Sequence, residues 1–156
     1  MLARLPGAGQ RAWLPCAAAT QRRHRQDAAA RTPVEATVDK VNLAEKFALF
    51  PAYWQPKIVG ALNGQHVKLS KFKGAFVWHK HELEDELFLV VKGQFNMELR
   101  DRTVTLREGE LIIVPRGVEH RPVAELEVHV LLFEPASTVN TGDAPGELTV
   151  ERPEWI

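Results

Sequence analysis

The stretch Gly74-Ala75-Phe76-Val77-Trp78-His79-Lys80-His81-Glu82-Leu83-Glu84-Asp85-Glu86-Leu87-Phe88-Leu89-Val90-Val91-Lys92-Gly93 decides how the rest of the chain is read. Its first part, Ala75–His81, has the composition of a strand. On a strand, neighbouring side chains face opposite sides, so His79 and His81 share one face while Trp78 and Lys80 take the other. The acidic residues Glu82, Glu84 and Asp85 then predict a loop. Glu86–Lys92 predicts the next strand, stopped at Gly93, with Phe88 and Val90 on the face of Glu86. The loop is long enough to turn the chain and return a carboxylate beside the two imidazoles.

A third imidazole follows downstream. Gly109, Pro115, Gly117 and His120 succeed one another after Gln94–Glu108. The Pro115-Arg116-Gly117 turn is a rigid way to deliver His120 to a fixed point. Three neutral imidazoles and one carboxylate suit a divalent transition metal such as Fe, Mn, Ni, Cu or Zn. They do not suit Mg or Ca, which prefer oxygen donors. Such a set leaves one or two positions open on a five- or six-coordinate ion.

The surrounding sequence predicts more strands. Lys57–Leu62 and Gln65–Phe72 flank Asn63-Gly64, the signature of a type I′ hairpin. Gln94–Arg100 and Arg102–Leu106 alternate apolar with polar residues. Leu111–Val114 and Glu127–Phe133 read as core strands. Upstream, Asn42 and Glu45 resemble a capping box for a short helix over Leu43–Phe50. Tyr53 and Trp54 in Ala52–Pro56 read as a structural latch. About eight short strands punctuated by Gly and Pro predict an all-β sandwich or barrel. No βαβ alternation is present.

These residues also resemble the two-part motif of the cupin superfamily. The first part is written G-x5-H-x-H-x(3,4)-E-x6-G, and Gly74, His79, His81, Glu86 and Gly93 follow it with one residue fewer after the first glycine. The second is written G-x5-P-x-G-x2-H-x3-N, and Gly109, Pro115, Gly117 and His120 follow it, with Ala124 in place of the final Asn. The phrases Trp78-His79-Lys80-His81 and Asp85-Glu86-Leu87-Phe88 are similar to the cupin-2 subgroup. The resemblance implies a double-stranded β-helix, a jelly-roll barrel, with metal ligands at His79, His81, Glu86 and His120. It also implies a dimer as the usual assembly.

The 156 residues and 45% hydrophobic content suit one folded domain. A cupin barrel is expected over 37–145 and a C-terminal surface arm over 146–156. Residues 1–36 are expected to form a basic, disordered tail. Residues 1–31 carry six Arg against Asp27, a balance of +5 hidden in a net charge of zero. An organellar targeting peptide is the alternative reading of that tail, although it contains no Ser. Pro15 interrupts any secretion-type apolar segment. The expected location is cytoplasmic, or organellar if the tail is a targeting peptide. Cys16 is the single cysteine, so no intrachain disulfide forms. Neutral net charge and the lack of an apolar run of membrane length argue against nucleic-acid and membrane partners.

Of the other histidines, His66 is expected to face solvent. His129 shares a face with Leu131 and Phe133, and is the candidate proton donor if that face meets the cavity. Glu119 is an alternative base. Together the residues predict a metal-dependent enzyme on a small organic substrate. With a redox metal it would be a dioxygenase, and with Lewis-acid chemistry an isomerase, decarboxylase or lyase. The alternative is a module that binds metal or a small ligand without turnover.

Overall fold

A computed structural model describes residues 38–156, and the expectations for residues 1–36 lie outside the described residues. One short helix and eight strands follow in order. They are α1 (Leu43–Phe47), β1 (Lys57–Leu62), β2 (Gln65–Ala75), β3 (Glu86–Lys92), β4 (Gln94–Leu99), β5 (Thr103–Arg107), β6 (Leu111–Val114), β7 (His120–Pro135) and β8 (Glu154–Trp155).

Local chemistry explains several boundaries. The Asn42 side-chain oxygen accepts from the amides of Ala44 and Glu45 at 3.0 and 3.3 Å, capping α1. Its amide nitrogen donates to the Glu45 carboxylate at 2.9 Å, so the box closes side chain to side chain. The helix ends at Phe47, a turn earlier than the sequence predicts, with Ala48 as C-cap. Phe47 is buried there and stacks on His129 with ring centroids 4.2 Å apart. Asn63 and Gly64 take φ of 51° and 80°, the positive values a type I′ turn demands at both positions.

The strands close into a jelly-roll barrel around β7. One edge of β7 pairs with β2 along nearly its whole length, Gln65↔Pro135 to Ala75↔Val123. The other edge pairs first with β4 and then with β3. The path β5-β4-β7-β2-β1-β8 is completed by β6 on β3. Val128, Val130, Leu132 and Glu134 point inward, and His129, Leu131 and Phe133 lie on the opposite face. The main core contains Phe72, Phe88, Phe95, Met97 and Val130, and a smaller cluster of Phe47, Phe50 and Leu69 sits under α1.

Two strands also differ from the sequence expectation. Ala75–His81 is not a continuous strand. β2 runs on to Ala75, and the following segment meets residues 117–122 only through separate bonds. They are Phe76 N–H to Pro122 O at 3.0 Å, a two-way His79–His120 bridge, and Gly117 N–H to His81 O at 2.7 Å. β7 begins at His120 rather than near Glu127. Pro122 lacks a donor and Glu125, Leu126 and Glu127 are exposed, so the sequence pattern hides the continuity. The C-terminal arm lies on the barrel surface, where β8 pairs in parallel with β1 through the exposed Glu154 and Trp155, while Thr138 and Thr141 before it are buried. His66 is consequently half-buried, with its ring edge-on to Trp155 at 5.6 Å, rather than facing solvent.

Among the described residues no helix is long and apolar enough to cross a membrane.

Candidate metal centre

The barrel brings His79, His81, Glu86 and His120 into one buried cluster, their four donor atoms all within 4.8 Å of one another. Three local devices place them. Glu86 opens β3 opposite Val114 and points inward. His79 and His120 are locked by their mutual backbone bridge, at 3.1 and 2.9 Å. His81 precedes the acidic loop, and its carbonyl is held by Gly117, whose φ of 76° is the left-handed turn conformation.

The acidic loop has a structural use. Asp85 accepts from the Arg116 amide at 2.9 Å and from its guanidinium at 3.1 and 3.2 Å. That clamp ties the residue before Glu86 to the turn before His120. Ala124, in place of the Asn of the motif, is buried in β7 opposite Gly74.

Hydrogen bonding selects the ring tautomers. His79 Nδ1 lies 3.1 Å from Val77 O and His120 Nδ1 lies 2.9 Å from Val118 O. A carbonyl only accepts, so each Nδ1 carries the hydrogen and each Nε2 presents a lone pair to the cluster. His81 Nε2 and His120 Nε2 stand 3.2 and 3.4 Å from Glu86 Oε2. Yet none of these three buried atoms has a partner with hydrogen-bond geometry. Buried polar atoms left unsatisfied in this way are rare and costly. Here they converge on one point, and the 3.2 and 3.4 Å separations lie within the roughly 4.2 Å that donors on one ion with bonds of about 2.1 Å can stand apart. The residues fit a divalent transition metal.

Electrostatics agree. Burial and the nearby His120 lower His79 to about 4, against the weaker opposing pull of Glu86, so it is neutral at physiological pH. Burial pushes the Glu86 carboxyl up, but the facing His120 and His81 rings outweigh it and hold it below its ordinary value. Behind Glu86, burial and the charge of Glu86 raise the Glu134 carboxyl well above the usual range, against the pull of Lys68. Lys68 donates to Glu134 at 2.7 Å and to Thr138 O at 3.2 Å, in full burial.

Beside the cluster lies a cavity of about 30 Å3, walled by Trp54, Phe72, Phe76, Phe88, Ser70 and Asn140 and bounded by His79 and Glu86. The sequence did not mark Ser70 or Asn140, and it gave Trp54 only a latching role. His129 is not in this wall. Strand alternation turns it outward, where it stacks on Phe47 and pairs with Glu127 at 3.0 Å. Glu119 is engaged by Arg100 on the surface at 2.7 Å. Neither contacts the cluster.

The jelly roll and its buried His/His/Glu/His set together define a cupin. The Cupin_2 family model, described as a cupin domain, matches residues 65–134. A cupin-2 domain protein from Shewanella frigidimarina is 40% identical, with 61% of this chain and 93% of that one covered and a TM-score of 0.60. A Neisseria meningitidis protein is 33% identical, covering 63% of this chain and 100% of that chain, with a TM-score of 0.58. The chain belongs to the cupin-2 family. A Bacillus subtilis protein, YdbB, is 33% identical over 64 residues, 40% of this chain, and the chain spans 57% of that relative's length. Hydroquinone 1,2-dioxygenase from a Sphingomonas strain shares the fold at 19% identity, with 69% of this chain and 36% of that one covered and a TM-score of 0.57.

Proposed function

We propose that this cupin is a metal-dependent enzyme acting on a small organic molecule. The observation that supports it best is the convergence of three buried, unsatisfied atoms, His81 Nε2, Glu86 Oε2 and His120 Nε2, with His79 completing the cluster. Those four side chains would hold the ion. When bound, it would supply Lewis-acid polarisation, or electron transfer if redox-active. The chain does the rest. Phe72, Phe76, Phe88 and Trp54 give the cavity an apolar wall, which lowers the local dielectric around the charges beside it. Ser70 and Asn140 bring polar side chains to the wall for orienting a ligand.

Dioxygenase chemistry on a chelating substrate and Lewis-acid isomerisation or lyase chemistry both suit this set. A non-catalytic binding module is the second reading, supported by one feature: the cavity wall carries no titratable residue besides His79 and Glu86.

Elemental analysis of the purified full chain tests the site. About one transition-metal ion per chain is expected, and His81→Ala should lose most of it. Full occupancy in that variant would remove the assignment. Turnover with substrate-dependent oxygen uptake, or isomerisation without it, then separates the enzymatic readings from the binding module.

We also infer a homodimer in the cytoplasm. The exposed Leu111 and Ile113 support the dimer, since they lie on β6, which pairs only with β3 among the described strands. Light scattering should give twice the chain mass of 17.5 kDa, falling towards that mass in Leu111→Glu with Ile113→Lys. A monomeric parent chain would sink the inference.

A further inference from the structure

Trp54 enters the barrel from a segment outside the strands and outside the family-matched span 65–134. Its amide donates to Lys71 O at 2.9 Å and its indole N–H to Lys73 O at 2.9 Å. Its carbonyl accepts from Asn140 at 3.4 Å. The ring stacks on Phe72 at 4.5 Å and lies 4.9 Å from Phe76. All this holds a bulky residue at φ 59°, a conformation side chains of its size rarely adopt. Strain of that kind persists only where the surroundings impose it, and it gathers at functional sites. Here it places an indole against the cavity beside His79 and Glu86.

The cavity it leaves is about 30 Å3. A water needs roughly 10–15 Å3 by this kind of measure, and an apolar cavity that accepts benzene is about 150 Å3. We propose that Trp54 is the specificity-determining wall of this centre. It admits a slender, non-aromatic head of about two or three heavy atoms, such as a carboxylate, hydroxyl or keto end, and rejects a ring. The part of the substrate that reaches the cluster is therefore narrow and oxygen-bearing. The proposal rests on the metal reading above.

Acetate and benzoate offer the same donor group and differ in the body behind it. The test uses the full chain loaded with Co2+, whose visible absorption reports ligands reaching the metal. Acetate and benzoate are titrated into the parent chain, Trp54→Phe and Trp54→Ala. Acetate affinity should be similar in all three, while benzoate should bind Trp54→Ala about tenfold or more tighter than the parent, with Trp54→Phe between. Equal benzoate affinity in parent and variants overturns the proposal, as does a parallel change for both anions, which would mean general loosening. If Trp54→Ala does not fold, the benzoate-to-acetate ratio in Trp54→Phe decides, and an unchanged ratio overturns the proposal. Absence of any cobalt band in the parent chain would instead overturn the metal reading, and this proposal with it.

Discussion

Gly142 sets how closely the C-terminal loop can approach a candidate ligand. Its φ is 49°, and a methyl group built on it overlaps the Lys80 carbonyl and comes 3.2 Å from His81 Nδ1. The same contact is stitched by Lys80 N–H to Asp143 Oδ1 at 2.9 Å and Asp143 N–H to Lys80 O at 3.1 Å. Gly142→Ala therefore must push the loop off the His81 segment. We expect a loss of about 2 kcal/mol in stability and weaker metal retention, read by thermal unfolding and chelator competition. Gly146→Ala, where nothing lies within 4 Å, is the control and should leave both unchanged. A harmless Gly142→Ala would show that the loop does not hold the ligand.

At the scale of elements, β7 organises the molecule, because β2, β3 and β4 all pair with it. Its inward row ends in Glu134, joined to Lys68 of β2 at 2.7 Å, with both side chains 1% exposed. Polar groups this deep are costly to leave unpaired, and breaking one such pair costs up to about 3–5 kcal/mol. Lys68→Met should destabilise the barrel by about that amount in urea unfolding, and adding Glu134→Leu should recover most of it. A double variant no more stable than the single one would show that the pair is not what couples these strands. Nothing local marks this pair, for Lys68 simply alternates with Val67 and Leu69 along β2. Only the closure of the barrel turns its face inward.

For the whole molecule, the buried imidazole cluster makes stability depend on pH. His79 titrates near 4 in the fold, chiefly because burial disfavours its charge, against an ordinary value of 6.5. Between those values the unfolded chain binds a proton that the folded chain refuses. The metal-free protein should thus be most stable above pH 6.5 and lose about 3 kcal/mol through this group as pH falls towards 4. Glu134 runs the other way, its raised carboxyl favouring the fold at low pH, so a variant is needed to isolate His79. Urea unfolding of EDTA-treated protein should show a flatter acid limb in His79→Asn. An unchanged limb would place the dependence elsewhere. Bound metal should be released over the same range, since protonated imidazoles cannot ligate.

The barrel class, most strand positions and the four cluster residues were legible along the chain. Strand alternation, glycine and proline punctuation and the His79-Lys80-His81 spacing are local properties, and local order is what a sequence records directly. His120 was grouped with the others by its rigid Pro115-Gly117 turn, and the resemblance of that turn to a known motif strengthened the grouping. The wall around the cluster could not be read at all. Trp54, Ser70 and Asn140 are separated by 16 and 70 residues in the chain, and they meet only because strands pair across long sequence distances and the C-terminal loop folds back. His129 shows the same limit from the other side: its alternation with valines was plain, but which face met the cavity and which met Phe47 was settled by barrel closure. Local pattern fixes which residues share a face, and long-range packing decides what that face encloses.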